Sequence, residues 1–300
     1  VDQLTRAFFE MSFKLNFFVE AKGDAFQSLF SRIMSMRFPG DFIAVRPWGS
    51  DGDRKNDGYL PSRRTLFQCY APNDLTAVAC IAKIDEDFAG AIKHWKEHFD
   101  TWTFVHNTHL LPPHVVEKLL VLGVQHFPVK LSHWGFEELR FEAFQLNESE
   151  LSVLLGPAPS QTTLVRLGVS DLEPILRHIC QQPPTQDPDL RPVPAGKLAH
   201  NQLSPDAATL LKAGMTRADL LTKYFRLKPC ERDRVAESFR LRYASLKSEH
   251  LAPDEIFMAL RHYAGSGAAD TTPSRETAIL AVLAFLFEEC DIFERPEGGP

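Results

Sequence analysis

The chain has 300 residues, of which 44% are hydrophobic and 23 are Phe, so it has material for real cores, and its length favours two domains over one. Its formal net charge of -6, from 33 basic against 39 acidic residues, excludes a protein that coats itself on nucleic acid through overall charge; a DNA contact must use a local patch or a partner's basic surface. Cys69, Cys80, Cys180, Cys230 and Cys290 are far apart and form no CxxC, which argues against a disulfide framework and against a structural zinc site. No apolar run approaches the ~20 residues of a membrane span. Glu10, Lys14 and Glu20 interrupt the Phe-rich start, which is not a signal peptide. The expectation is a soluble, cytoplasmic protein without membrane contact, and Val1 reads as the start of a segment or a processed chain rather than a native start.

Residues 1–19 are expected to form a Phe-rich arm. Phe9, Phe13 and Phe17 recur every four residues on one helical face, which packs on the body or docks a partner. A helix is predicted over 24–37, where Phe26, Leu29, Phe30 and Ile33 recur at helical steps before Pro39-Gly40 stops it. A strand follows at 41–46, then strands at 57–60 and 65–71, reversed by the charged turn from Pro61 to Arg64. Helices at 75–95, 113–122 (ending at Gly123) and 136–144 alternate with strands at 101–105 and 128–132. A helical tail at 171–180, with a short strand near 163–167, closes an α/β domain of residues 20–182. Five prolines between Pro183 and Pro194 mark a linker at 183–203. Residues 204–300 read as an all-helical domain, with candidates starting at Ser204-Pro205 and at 217–227, 231–247, 254–263 and 274–289.

The residues carrying chemistry lie in Gly52-Asp53-Arg54-Lys55-Asn56-Asp57-Gly58-Tyr59-Leu60 and Thr65-Leu66-Phe67-Gln68-Cys69-Tyr70. Gln68 and Tyr70 are two apart and share one strand face, and the paired strand starts at Asp57. Antiparallel strands that bring a carboxylate and a second oxygen to one point can hold a divalent cation. Asn-Asp-Gly is equally good turn chemistry, so Asp57 can also be a plain turn residue. Asp51 and Asp53 read as loop residues, and alternation turns Cys69 to the opposite, core face.

This pattern resembles the Mrr-like branch of the PD-(D/E)XK nucleases, in which Gly-Asp-x3-Asp-Gly precedes a strand carrying Gln-x-Lys. The order α-β-β-β-α-β-α-β-α also matches what that core requires. The resemblance implies a restriction-endonuclease-like fold and Mg²⁺ (or Mn²⁺) held at Asp57 and Gln68 with a further acid, Glu20 first and Glu86 second. Gln27, on the helix that often supplies a Glu in that family, reads here as a surface residue. The position of the family's catalytic lysine holds Tyr70, a phenol neutral at pH 7; Lys83 on the next helix, with Lys55 and Arg54 in the loop, offers a substitute cation.

Other chemistries find no support. There is no Gly-x4-Gly-Lys-Ser/Thr and no Gly-x-Ser-x-Gly, and Gly265-Ser266-Gly267 reads as a loop between helices. His94 and His98 read as surface residues. His106 and His109 read as loop residues without a third ligand. The stretch from Ala281 to Glu294, an apolar helix with an acidic end, resembles the C-terminal helical domains of effectors in ABC-three-component antiphage systems. That resemblance implies an ABC-type ATPase and a small middle component as partners of residues 204–300. Two functions follow as expectations: an antiviral effector that cleaves DNA with Mg²⁺ through Asp57, Gln68, Tyr70 and Lys83, or a catalytically silent copy of the fold that senses DNA or assembles with the ATPase. Homo-oligomerisation fits either one.

Overall fold

The computed structural model describes residues 2–45, 55–180, 196–265, 272–289 and 291–294. The chain forms two compact units, Val1–Ser12 with Leu155–Pro300, and Phe13–Leu154. This division differs from the expected 1–19, 20–182, 183–203 and 204–300. Helix α1 (Gln3–Leu15) contributes to both units, and residues 155–180 belong with the C-terminal helices. No helix is long and apolar enough to cross a membrane among the described residues.

The α/β unit follows the expected element order. Helix α2 (Asp24–Arg37) leads to β1 (Ile43–Ala44), β2 (Gly58–Leu60) and β3 (Thr65–Tyr70), then α3 (Ala77–Trp95), β4 (Thr101–His106), α4 (Pro113–Gln125), β5 (Lys130–Trp134) and α5 (Phe136–Ala143). The sheet is ordered β1-β2-β3-β4-β5. β1 to β3 form an antiparallel meander with Gly58 opposite Phe67, while β4 and β5 add parallel strands with Gln68 opposite Phe104. Crossover helices α3 and α4 make the parallel pairings possible. One sheet face packs Leu66, Trp102 and Phe104 against Cys80, Ile84 and Phe88 of α3 and Val115 and Leu119 of α4. Phe67 packs with Phe30 of α2 and Trp134 of β5, with ring centroids at 5.3 and 5.1 Å. The first strand is shorter than expected, and α4 runs through Gly123 to Gln125, since that glycine does not take the positive φ that would end the helix.

The Phe-rich start packs on the body, the first of its two expected readings. Phe8 and Phe9 are buried with the C-terminal helices, where the Arg261 guanidinium lies 4.5 Å from the Phe8 ring centroid. Phe13 and Phe17 are buried with Phe136, at 5.5 and 5.3 Å. Leu15 leads into a π-turn, Asn16–Glu20. Helix α6 (Glu148–Leu155) follows α5, and the expected strand near 163–167 is instead helix α7 (Gln161–Arg166). Ser160 caps α7, its Oγ accepting from the Thr163 amide at 3.2 Å, and this local cap outweighs the β preference of Thr162, Thr163 and Val165.

The helical unit continues with α8 (Val169–Cys180), α9 (Lys197–His200), α10 (Pro205–Met215), α11 (Ala218–Leu227), α12 (Pro229–Ser248), α13 (Pro253–Gly265) and α14 (Pro273–Glu288). α14 is buried on all sides from Glu276 to Phe287, as its all-round apolar sequence requires, and packs against α7, α8, α10, α11 and α13. Residues 183–195 of the expected linker lie outside the described residues, but residues 196–203 are not an exposed spacer. Lys197 is buried, and its Nζ donates to the Phe287 and Ile292 carbonyls at 2.7 and 2.8 Å.

Candidate metal centre

Asp57 is brought to the sheet end by local chemistry. Asn56 Oδ1 accepts from the Gly58 amide at 2.9 Å, a side-chain turn, so Asn56 makes the turn and the Asp57 carboxylate is left for other contacts. The Asp57 amide donates to the Phe67 carbonyl at 2.9 Å, extending the β2–β3 ladder by one residue. The carboxylate is 4% exposed; Oδ1 accepts from Gln27 Nε2 at 2.6 Å and Oδ2 from the Cys69 amide at 2.7 Å.

Gly23 places α2 beside this carboxylate by adopting φ 49° and donating its amide to the Ala71 carbonyl, just past β3, at 2.8 Å. The result is a cleft of about 290 Å³ lined by Gly23, Asp24, Gln27, Asp57, Gln68, Cys69, Tyr70 and Lys83, among others. The expected residues Asp57, Gln68, Tyr70 and Lys83 therefore meet. Glu20 is exposed in the π-turn and does not line the cleft; Gln27 and Asp24 of α2 stand there instead. Glu86 is exposed and faces Lys55 at 2.5 Å rather than the cleft. Asp51, Asp53 and Arg54 lie outside the described residues.

Gln68 is the informative member. Its side chain is 4% exposed, and Oε1 is buried without a hydrogen-bond partner. A buried carbonyl oxygen left unpaired costs about 1–3 kcal/mol, and one beside a carboxylate in a cleft suits a hard cation. Among the described residues no group of three or more His, Cys, Asp or Glu could hold a metal ion, so no all-carboxylate cage stands here. Asp57 and Gln68 fit the sparser Mg²⁺ pattern of one or two protein oxygens completed by waters and substrate phosphate.

The other walls are neutral or cationic. Tyr70 packs its ring 5.9 Å from Phe104, and burial raises its phenol above the ordinary value, so it stays protonated and brings no cation. Cys69 is part-exposed on the cleft rather than turned fully into the core, and burial together with Asp57 pushes its thiol well above the usual value, so it stays un-ionised. Lys83 lines the cleft and donates to Asp87 Oδ1 at 2.9 Å. Asp87, which sequence reasoning missed, is fully buried, and burial raises its carboxyl while Lys83 and Lys55 pull it back. Its position four residues after Lys83 was the available signal. His106 is no loop residue: it ends β4, is fully buried, and lies 3.3 Å from His133 through Nε2. His94 and His98 are exposed, as expected.

Residues 170–294 match the family model of C-terminal domain 10 of the ABC-three component (ABC-3C) systems. The chain carries an ABC-3C C-terminal domain. That domain marks it as a component of an ABC-three-component antiphage system. The match begins in α8, upstream of the linker, in keeping with the grouping of α8 with α10 to α14 in one ABC-3C unit. No curated protein and no solved structure matches the chain.

Proposed function

We propose that the α/β unit is a restriction-endonuclease-like domain that hydrolyses DNA phosphodiester bonds with Mg²⁺, or Mn²⁺, and that the chain is the effector of its ABC-3C system. The ABC-3C domain then binds the ABC-type ATPase and the small middle component. The observation carrying the nuclease reading is Gln68, with its Oε1 buried and unpaired, lining the same cleft as Asp57.

In this reading Asp57 and Gln68 supply the protein oxygens, and Gln27 orients Asp57 through its 2.6 Å bond. The metal, when bound, activates a water and stabilises charge on the phosphoryl oxygens. Lys83 stands in for the lysine absent at Tyr70 and offsets developing negative charge on the scissile phosphate. Tyr70, neutral, forms a wall and offers its hydroxyl as a hydrogen-bond donor. The test is calorimetric Mn²⁺ binding to the intact chain. Asp57→Ala is expected to abolish binding, and Gln27→Ala to weaken it by about 10- to 100-fold. Equal binding by the intact chain and Asp57→Ala would overturn the assignment.

The sparse ligand set and Tyr70 favour a second reading, a catalytically silent copy of the fold that senses DNA or serves assembly. It predicts no Mn²⁺ binding at millimolar concentration, with association to the ATPase partner retained.

A further inference from the structure

This inference rests on the Asp57 cleft taking a phosphate group and concerns how Lys83 reaches it. Asp87 is fully buried on α3, and its Oδ1 lies 2.9 Å from Lys83 Nζ and 3.2 Å from Lys55 Nζ. Its Oδ2 is buried without a hydrogen-bond partner. Two cations thus crowd one oxygen of one carboxylate. They are not held alike. Lys55 adopts φ 62°, lays its side chain across α3 where a Cβ on Gly90 would collide with it, and bonds Glu86 at 2.5 Å as well as Asp87. Among the described residues Lys83 makes its one salt bridge within 4 Å to Asp87, Glu86 acting on it only at longer range, and it lines the cleft with Asp57 and Gln68.

A buried carboxylate stripped of a lone counter-ion is strongly penalised. Here the second cation removes that penalty for one lysine and not for the other. The two side chains are equally exposed, at 31% and 30%, but Lys55 is also tied down by Glu86, the Gly90 contact and its backbone turn, whereas Lys83 lines the cleft. We infer that Asp87 is a shared counter-ion from which Lys83 is released onto a phosphate group entering the Asp57 cleft, with Lys55 staying behind to keep the buried carboxylate paired. Asp87 and Lys55 are then positioning residues for Lys83 rather than contacts to the substrate. The arrangement also explains why an α3 glycine sits where Lys55 must pass.

The test reads Lys83 itself. The full chain is labelled with acetic anhydride at limiting dose, and acetylation of each lysine is followed by mass spectrometry, with exposed Lys223 as internal reference and inorganic phosphate as the anion. Phosphate is expected to slow Lys83 labelling in the native chain. Lys55→Met should slow Lys83 labelling without phosphate by roughly tenfold, because Asp87 then depends on Lys83 alone. Lys55→Arg should behave as the native chain, and Lys55→Met with Asp87→Asn should recover native labelling, since a neutral partner no longer holds Lys83. A merely structural Lys55 predicts the opposite: a loosened loop, faster Lys83 labelling, and no rescue by Asp87→Asn. That result, or no protection by phosphate in the native chain, overturns the inference. Failure of the metal assignment is read separately, from Mn²⁺ binding by the intact chain and Asp57→Ala, and leaves the labelling result standing.

Discussion

His106 shows how burial decides what a side chain does. Its ring is fully buried at the end of β4, bonded through Nδ1 to Thr108 Oγ1 at 2.9 Å and set against His133, and burial first, then His133, lower its pKa from 6.5 to about 3. The folded state keeps this ring neutral while the unfolded chain protonates it below about 6.5. The unfolded state therefore binds more protons between about pH 6.5 and 3, and stability falls as pH drops through that window. Urea unfolding at pH 7 and pH 4.5 should differ by roughly 2–3 kcal/mol from this residue, and His106→Asn should flatten the difference. At the same scale, strand alternation and a motif spacing single out Asp57, Gln68 and Tyr70, and Lys83 stands out only as a cation on the following helix; all four line one cleft. Gln27 and Asp87 are not singled out. Which turn of a helix faces a site is set by how α2 and α3 pack on the sheet: nothing local in α2 marks Gln27 as the partner of Asp57 thirty residues on, and the i,i+4 spacing in α3 pairs Lys83 with Asp87 without showing that the carboxylate is buried.

Helices and strands were largely legible from periodicity, since the α/β unit has the element order that its apolar spacing predicts. The failures have local causes: β1 shrank to Ile43–Ala44 at an exposed sheet edge, and α7 formed where a Ser160 cap competes with β-branched residues. What periodicity does not carry is how closely two helices approach. Gly214 on α10 touches α14 so tightly that a Cβ there would collide with the Leu280 carbonyl and lie 2.8 Å from Ala284 Cβ. The carbonyl belongs to helix backbone and cannot swing aside. Gly214→Ala gains helix propensity of about 1 kcal/mol, but overpacking costs about 1–3 kcal/mol, so net destabilisation of the ABC-3C unit is expected. A lower urea midpoint with an unchanged slope would show it; a raised midpoint would mean that α14 shifts at no cost. The end of α14 is fixed by charge. Asp291 is 4% exposed and lies 2.6 Å from Arg240 Nη2 and 3.5 Å from Arg232 Nη2. Asp291→Ala removes the most buried partner of both guanidinium groups, which keep Glu289 at 3.2 Å and Glu237 at 3.3 Å, and should cost about 1–3 kcal/mol in the same experiment.

At the scale of the whole chain, composition found the proline-rich segment but not which helices belong to which core. An amphipathic helix shows that it must bury one face, not against what, so α8 reads equally well as the tail of one domain or the start of the next. The structure gives α7 and α8 to the helical unit, with Leu172, Ile175 and Leu176 buried, Arg217 donating to the Leu164 and Val165 carbonyls, and Thr277 Oγ1 2.7 Å from Thr163 Oγ1. Residues 2–12 add Leu4, Phe8 and Phe9 to that core. A fragment cut at the composition boundary, residues 204–300, therefore lacks α7, α8, the Lys197 latch on the end of α14 and the Phe8–Phe9 wedge. Losing several fully buried large side chains, each costing about 2–5 kcal/mol, exceeds the usual 5–15 kcal/mol stability of a domain. Residues 204–300 should show helical circular dichroism without a cooperative thermal transition and should not capture the ATPase partner. Residues 155–300 should melt cooperatively, and adding residues 1–12 back as a peptide should raise the melting temperature. Cooperative melting of 204–300 at the temperature of the full chain would place the boundary at the linker and remove α7, α8 and the N-terminal helix from the ABC-3C core.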